Sequence, residues 1–218
     1  MIATDTAQIR EAEVSEQRNI ESKLTHEDIM WDWQHMDGEP IDCLLRAARL
    51  ADIVVLSLPS PDRRTANGPL PIVADVVTHC HSCILALPSG TRSVDIGGRA
   101  VVAWDGSNEA AVALSKSIPM LSLAREVHVV TIEESGKHAF PSTEVSTYLS
   151  RHGIASELHE WPRKGRTVEE ALVDALNELK ASWLVMGAFG HSRLRETVFG
   201  GVTRYLLTAS PVPLLLAH

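Results

Sequence analysis

Positive charge is in short supply in this chain: 20 lysines and arginines stand against 28 aspartates and glutamates among 218 residues, a net charge of −8. The pI is about 5.7. That balance removes any global electrostatic case for nucleic acid or an anionic membrane, so a polyanionic ligand would have to be held by local donors. Long apolar runs are also missing, and none is long enough to span a bilayer. The opening residues, Met1 to Thr6, lack the basic and apolar regions of a signal peptide. Cysteine is scarce, and three in a chain of this length make no disulfide framework. A reduced cytoplasm is the simplest expectation. What is present, 44% hydrophobic and 22% charged residues, fits a globular protein with a sizeable core, in one large domain or two small ones.

Helical and strand-like segments alternate along the chain. Thin periodicity at Ile9, Ala12, Ile20 and Leu24 suggests a helix within residues 6–25, and Ile29 to His35 alternates as a strand would. Pro40 sits at a favoured first-turn position for a helix running to Leu50. Ile53 to Leu58 reads as a buried strand, Pro59 to Gly68 as a loop, Pro71 to His79 as a helix and Cys83 to Leu87 as a strand. Pro88-Ser89-Gly90-Thr91-Arg92 reads as a linker. Beyond it the pattern is strand-helix repeated: strands at Ala100–Trp104, Val127–Ile132, Ser156–Trp161, Trp183–Gly187 and Val212–Ala217, with helices near Asn108–Leu121, Ser142–His152, Val168–Ala181 and Glu196–Ala209. Such alternation predicts an α/β fold with a doubly wound, parallel, five-stranded sheet.

The first part repeats the second. Ala51-Asp52-Ile53-Val54-Val55-Leu56-Ser57 lies 130 residues before Ala181-Ser182-Trp183-Leu184-Val185-Met186-Gly187, and the same offset sets Ile84-Leu85-Ala86 under Leu214-Leu215-Leu216. The division expected is a partial, degenerate unit at 1–94 and a complete one at 95–218. The first unit has no counterpart of the strand-helix-strand at 100–132. A start placed too late, a partner chain or an altered topology would each account for the gap.

Glycines gather where the fourth strand of the complete unit passes into its last helix: Gly187, Gly190, Gly200 and Gly201. Loop glycines let backbone N–H groups converge on an anion at a helix N-terminus. The intervals Gly187-x2-Gly190-x9-Gly200, the run Val101-Val102-Ala103-Trp104-Asp105-Gly106-Ser107 and the stretch from Gly200 to Leu215 together resemble the universal stress protein family. The likeness covers residues 97–218 as a whole domain and 6–88 as a truncated one.

The resemblance implies an adenine nucleotide, ATP or AMP with possible magnesium, in the crevice where strand order reverses. Ala103 and Asp105 would meet the ribose or adenosine, and Thr131 the adenine edge. Met186, Gly187, Gly190, His191, Ser192, Arg193, Gly200, Gly201, Val202 and Thr203 would surround the phosphates. It also implies a stress-response switch or persistence factor, working as a homodimer or as an intrachain pseudo-dimer paired through last strands. One departure stands out. The family's ATP-binding form carries Ser or Thr after its third motif glycine, where this chain has Gly201, with Thr203 a partial substitute. In the first unit Ser57 and Ser60 replace Gly187 and Gly190, so no site is expected there.

Plainer readings run alongside. Gly187 and Gly190 also suit a turn, Gly200 and Gly201 close helix packing, and Asp105 with Ser107 a turn and helix cap. His191 and Ser192 lack a third orienting group, so no catalytic residue is assigned and no general base is identified. His79-Cys80-His81-Ser82-Cys83 lacks a second ligand pair, and no metal ligand is assigned. Trp31 and Trp33 would share one strand face, as core or interface. A rival reading is an interaction protein with a vestigial site, acting through dimerisation.

Overall fold

The chain divides into two compact units, Met1–Asp37 and Gly38–His218. The computed structural model describes residues 14–60, 72–133, 143–189 and 200–218. In the first unit residues 14–24 form helix α1. The strand expected at Ile29–His35 does not form: residues 27–37 hold no strand, and Trp31 and Trp33 are each 40% exposed. Alternating apolar residues make a strand only when a neighbour accepts and supplies ladder hydrogen bonds, and among the described residues of this unit there is none.

The second unit is built from α2 (Pro40–Ala47, continued as a 3-10 turn to Leu50), β1 (Ile53–Ser57), α3 (Ile72–His79), β2 (Cys83–Leu87), β3 (Arg99–Ala103), α4 (Asn108–Leu121), β4 (Glu126–Ile132), α5 (Thr143–Arg151), β5 (Glu157–Trp161), α6 (Val168–Glu178), β6 (Trp183–Gly187), α7 (Gly201–Ala209) and β7 (Leu214–Ala217). Sequence and structure agree closely on these elements, and the shifts have local causes. The last helix starts at Gly201 within the described residues, later than Glu196. α6 stops at Glu178, short of Ala181, because Lys180 turns left-handed at φ 52° and Ala181 N–H bonds back to Leu176 O. β7 begins after Pro211 and Pro213, which have no N–H for a ladder.

All seven strands join in one sheet, in the order β1-β2-β7-β6-β3-β4-β5. The five expected strands are there, in parallel array from β7 to β5. β1 and β2 are parallel to each other and extend the same sheet, joining it through the antiparallel pair β2–β7. In that pair Leu85 faces Leu215, with Ile84 opposite Leu216 and Ala86 opposite Leu214. A half-turn that exchanges residues 130 apart therefore maps the ladder onto itself. β2 and β3, the strands on either side of residue 94, both belong to this sheet.

Helices cover both faces. On one, α3, α6 and α7 bury Val76, Leu172, Leu176, Leu206 and Leu207 against Ile84, Val101, Val130, Leu184 and Leu214. On the other, α4 and α5 bury Ala113, Leu114, Leu121 and Leu149 against Val102, Val129, Trp183, Val185 and Leu215. Near-continuous apolar strands are what two covered faces require. The two edge strands are the exceptions: Val55 and Ser57 of β1, on the α4 side, are exposed, as are Glu157, Leu158 and Glu160 of β5.

Candidate functional site

β3 lies between β6 and β4, so strand order reverses at β3/β6, the position where open α/β sheets leave a crevice beyond the strand ends. Val102 pairs with Val185, which puts Ala103 and Asp105 at the same sheet edge as Met186 and Gly187. Thr131 lies one strand further, on β4.

Asp105 forms a turn. Its Oδ1 accepts from Ser107 N at 2.9 Å and Ser107 Oγ at 2.6 Å, while Ser107 Oγ caps α4 by accepting from Ala110 N at 3.1 Å. Gly106 takes φ 76° to allow it. The carboxylate stays exposed, so capping and a solvent-side contact are compatible. Ala103 is half-buried; the side chain of Met186 is buried in the core, leaving its backbone for any ligand.

Gly187 has a steric reason to be glycine. A Cβ there would lie 2.5 Å from both Ala110 N and Glu109 C, in the backbone of α4's first turn. Beyond it Phe189 is buried at φ 56°, and its N–H donates to Thr203 Oγ1 at 3.3 Å. Thr203 is itself buried, so its hydroxyl already holds the start of the loop. Gly190, His191, Ser192 and Arg193 lie outside the described residues. At the far end Gly200 is the N-cap of α7, with no side-chain cap. A Cβ on Gly201 would meet nothing within 4 Å, and Val202 is half-buried. Among the described residues the first amides of α7 thus have no side-chain cap.

Two buried polar atoms near these strand ends have no hydrogen-bond partner among the described residues: Trp104 Nε1 and Thr131 Oγ1. Trp104 also lines a cavity of about 500 Å³ between α4 and α5, with Leu114, Ser115, Thr143, Tyr148 and Arg151. Asp105 and Gly187 are not in its wall. The sequence reading passed over Trp104, which only the turn after β3 aims inward.

Cys80 and Cys83 are buried and free, and burial pushes the Cys83 thiol up, away from the reactive thiolate. His79 Nδ1 is turned back to Asp75 O at 2.8 Å. Sequence reasoning also missed His128, Glu157 and His159, which come within reach of one another only through strand register. Among the described residues no helix is long and apolar enough to cross a membrane.

A mostly parallel sheet with helices on both faces and its switch point at β3/β6 defines a doubly wound α/β protein. The match to known proteins is more specific: the universal stress protein family model covers residues 98–218, and the chain belongs to that family. Universal stress proteins of Mycobacterium tuberculosis and Mycobacterium bovis are 32% identical to it over 98 residues, 45% of this chain. The chain spans about a third of their length, 34%. Among solved structures, a universal stress protein from Archaeoglobus fulgidus superposes with a TM-score of 0.65 at 18% identity, covering 83% of this chain and 65% of that one. A putative universal stress protein from Pseudomonas aeruginosa gives 0.63 at 14% identity, covering 94% and 77%. At these identities the likeness speaks for the fold.

Proposed function

We propose that the chain binds an adenine nucleotide at the β3/β6 crevice and acts as a ligand-dependent switch in stress response. The observation that carries this reading is a pair of buried polar atoms near the exposed Asp105, Trp104 Nε1 and Thr131 Oγ1, that find no hydrogen-bond partner among the described residues. A buried donor or acceptor without a partner costs about 1–3 kcal/mol, a cost that a ligand with complementary groups removes. The open amides at Gly201 and Val202 supply the other end, donors and a positive helix terminus for phosphate. With no general base placed in the described crevice, the reading is of binding rather than fast turnover.

The partial copy belongs to the same proposal. Residues 38–87 repeat α6-β6-α7-β7 as α2-β1-α3-β2, and the ladder centred on Leu85 and Leu215 joins the two copies as an intrachain pseudo-dimer. A second reading, an interaction protein with a vestigial site, is favoured by the steric need for Gly187, which accounts for that glycine without a ligand.

Denaturing the purified full chain and chromatographing what it releases, followed by calorimetric titration with ATP, separates the two. Released adenine nucleotide or saturable ATP binding is expected. No nucleotide and no heat at millimolar ATP would leave the vestigial reading. Where binding is seen, Gly201→Ser adds a hydroxyl in open space and should tighten ATP about tenfold, the worth of one hydrogen bond to a charged group.

A further inference from the structure

Away from the crevice, at the outer edge of the sheet, β4 and β5 bring three ligating side chains together on the α6 face. His128 pairs directly with Glu157 in the parallel ladder, and His159 stands two residues further along β5 on the same face. His128 Nδ1 lies 3.1 Å from His159 Nε2 and 3.4 Å from Glu157 Oε2, and His159 Nε2 lies 3.7 Å from the same carboxylate oxygen. A tetrahedral metal with bonds of about 2.0–2.1 Å sets its donors about 3.4 Å apart. The three separations bracket that value, so one ion fits among the atoms as they stand. Among the described residues this is the group of three such side chains whose ligand atoms converge.

The surroundings match. His128 is buried, its side chain 7% exposed, and its far nitrogen Nε2 makes no hydrogen bond among the described residues while facing Glu126 Oε2 at 3.6 Å. Glu126 is itself held by Arg99 at 2.6 Å and Arg125 at 3.2 Å. The negative charge of Glu126 behind the ring favours the proton on Nε2 and leaves Nδ1 as the metal donor. Glu157 is largely exposed and His159 a quarter exposed, so an ion can enter from solvent. The exposure of Glu157 also lets a solvent water reach the fourth position.

We propose that His128 Nδ1, His159 Nε2 and Glu157 Oε2 form a three-ligand site for a zinc ion that ties the edge strand β5 to β4. Two imidazoles and one carboxylate are a borderline donor set that suits zinc over calcium or magnesium. The site is separate from the nucleotide crevice and does not depend on it.

The test uses the untagged full chain. Zinc titrated by calorimetry should bind at one ion per chain, and cobalt in its place should give tetrahedral ligand-field bands without a thiolate charge-transfer band. His159→Gln and Glu157→Gln alter exposed or partly exposed residues, so circular dichroism should show both folded. His159→Gln should weaken zinc by more than about 100-fold, beyond the loss typical of outer-shell changes, and Glu126→Gln by about tenfold. Zinc should raise the melting temperature of the parent chain and leave that of His159→Gln unmoved. Unchanged affinity in both folded variants, a thiolate band with cobalt, or loss of binding on Cys80→Ala/Cys83→Ala would each overturn the proposal, as would no saturable zinc binding at all.

Discussion

The two halves of the sheet run the same local plan in different surroundings. β6 is flanked by β7 and β3 and covered by helices on both faces; among the described residues β1 has only β2 beside it and helix cover only on the α3 side. Residues 130 apart show the consequence. Val185 is fully buried and Val55 is 54% exposed. Gly187 abuts the backbone of α4, whereas Ser57 at the matching place is exposed. From sequence, the serine reads as a lost phosphate loop. In the structure it has a simpler cause: among the described residues no helix like α4 crosses the end of β1, and none of them forbids a side chain. Glycine at such a strand end reports what packs on it as much as what binds to it.

That contrast can be broken at three points, in decreasing size of effect. Gly187→Ala pushes a methyl into the backbone at Glu109 and Ala110 and should cost on the order of 3 kcal/mol by urea denaturation, while Ser57→Ala should stay within about 0.5 kcal/mol. Equal costs at both sites would mean that β1 is covered after all. Val185→Ala removes two buried methyl-sized groups and leaves a cavity, at about 2 kcal/mol, whereas Val55→Ala should change stability by less than about 0.5 kcal/mol.

The smallest effect concerns the helices before these strands. α6 has a capping box between Thr167 and Glu170 and an Arg166–Asp174 ion pair at 2.7 Å, while α2 starts at Glu39 without a side-chain cap. The Arg166 guanidinium holds the Asp174 carboxyl below its ordinary value of 3.8. Stability from this pair is present above that value and drains away as pH falls through the lower folded-state pKa. Asp174→Asn should therefore be slightly less stable than the parent at neutral pH and converge with it in acid, read from unfolding curves at each pH. A gap that persists below the folded pKa would point to lost packing rather than lost charge.

How much of this could be read beforehand depended on range. Strands such as Trp183–Gly187 declared themselves because a run buried on both faces must be apolar throughout, and α4 because Ser107 caps it. The alternating Ile29–His35 misled, since alternation records only a possible face and says nothing of a neighbour to pair with. The Leu85–Leu215 symmetry was implicit in the offset of 130, but the joining of all seven strands in one sheet was not. Asp105, Thr131 and Gly187 came as a group from the family resemblance, and each falls at or within two residues of the carboxyl end of its strand. Trp104 and the His128–Glu157–His159 cluster were not legible, for their meaning depends on register between strands and on which way a turn aims a ring.

The antiparallel seam of β2 and β7 carries one more consequence. Two strands on separate molecules meet only as often as concentration allows, and dilution parts them. Here the linker of residues 88–98 keeps the strands tethered, so each sees the other at a fixed local concentration however dilute the protein. The contact obeys first-order rather than second-order statistics, and the melting temperature of this seam should be the same at nanomolar and at micromolar chain.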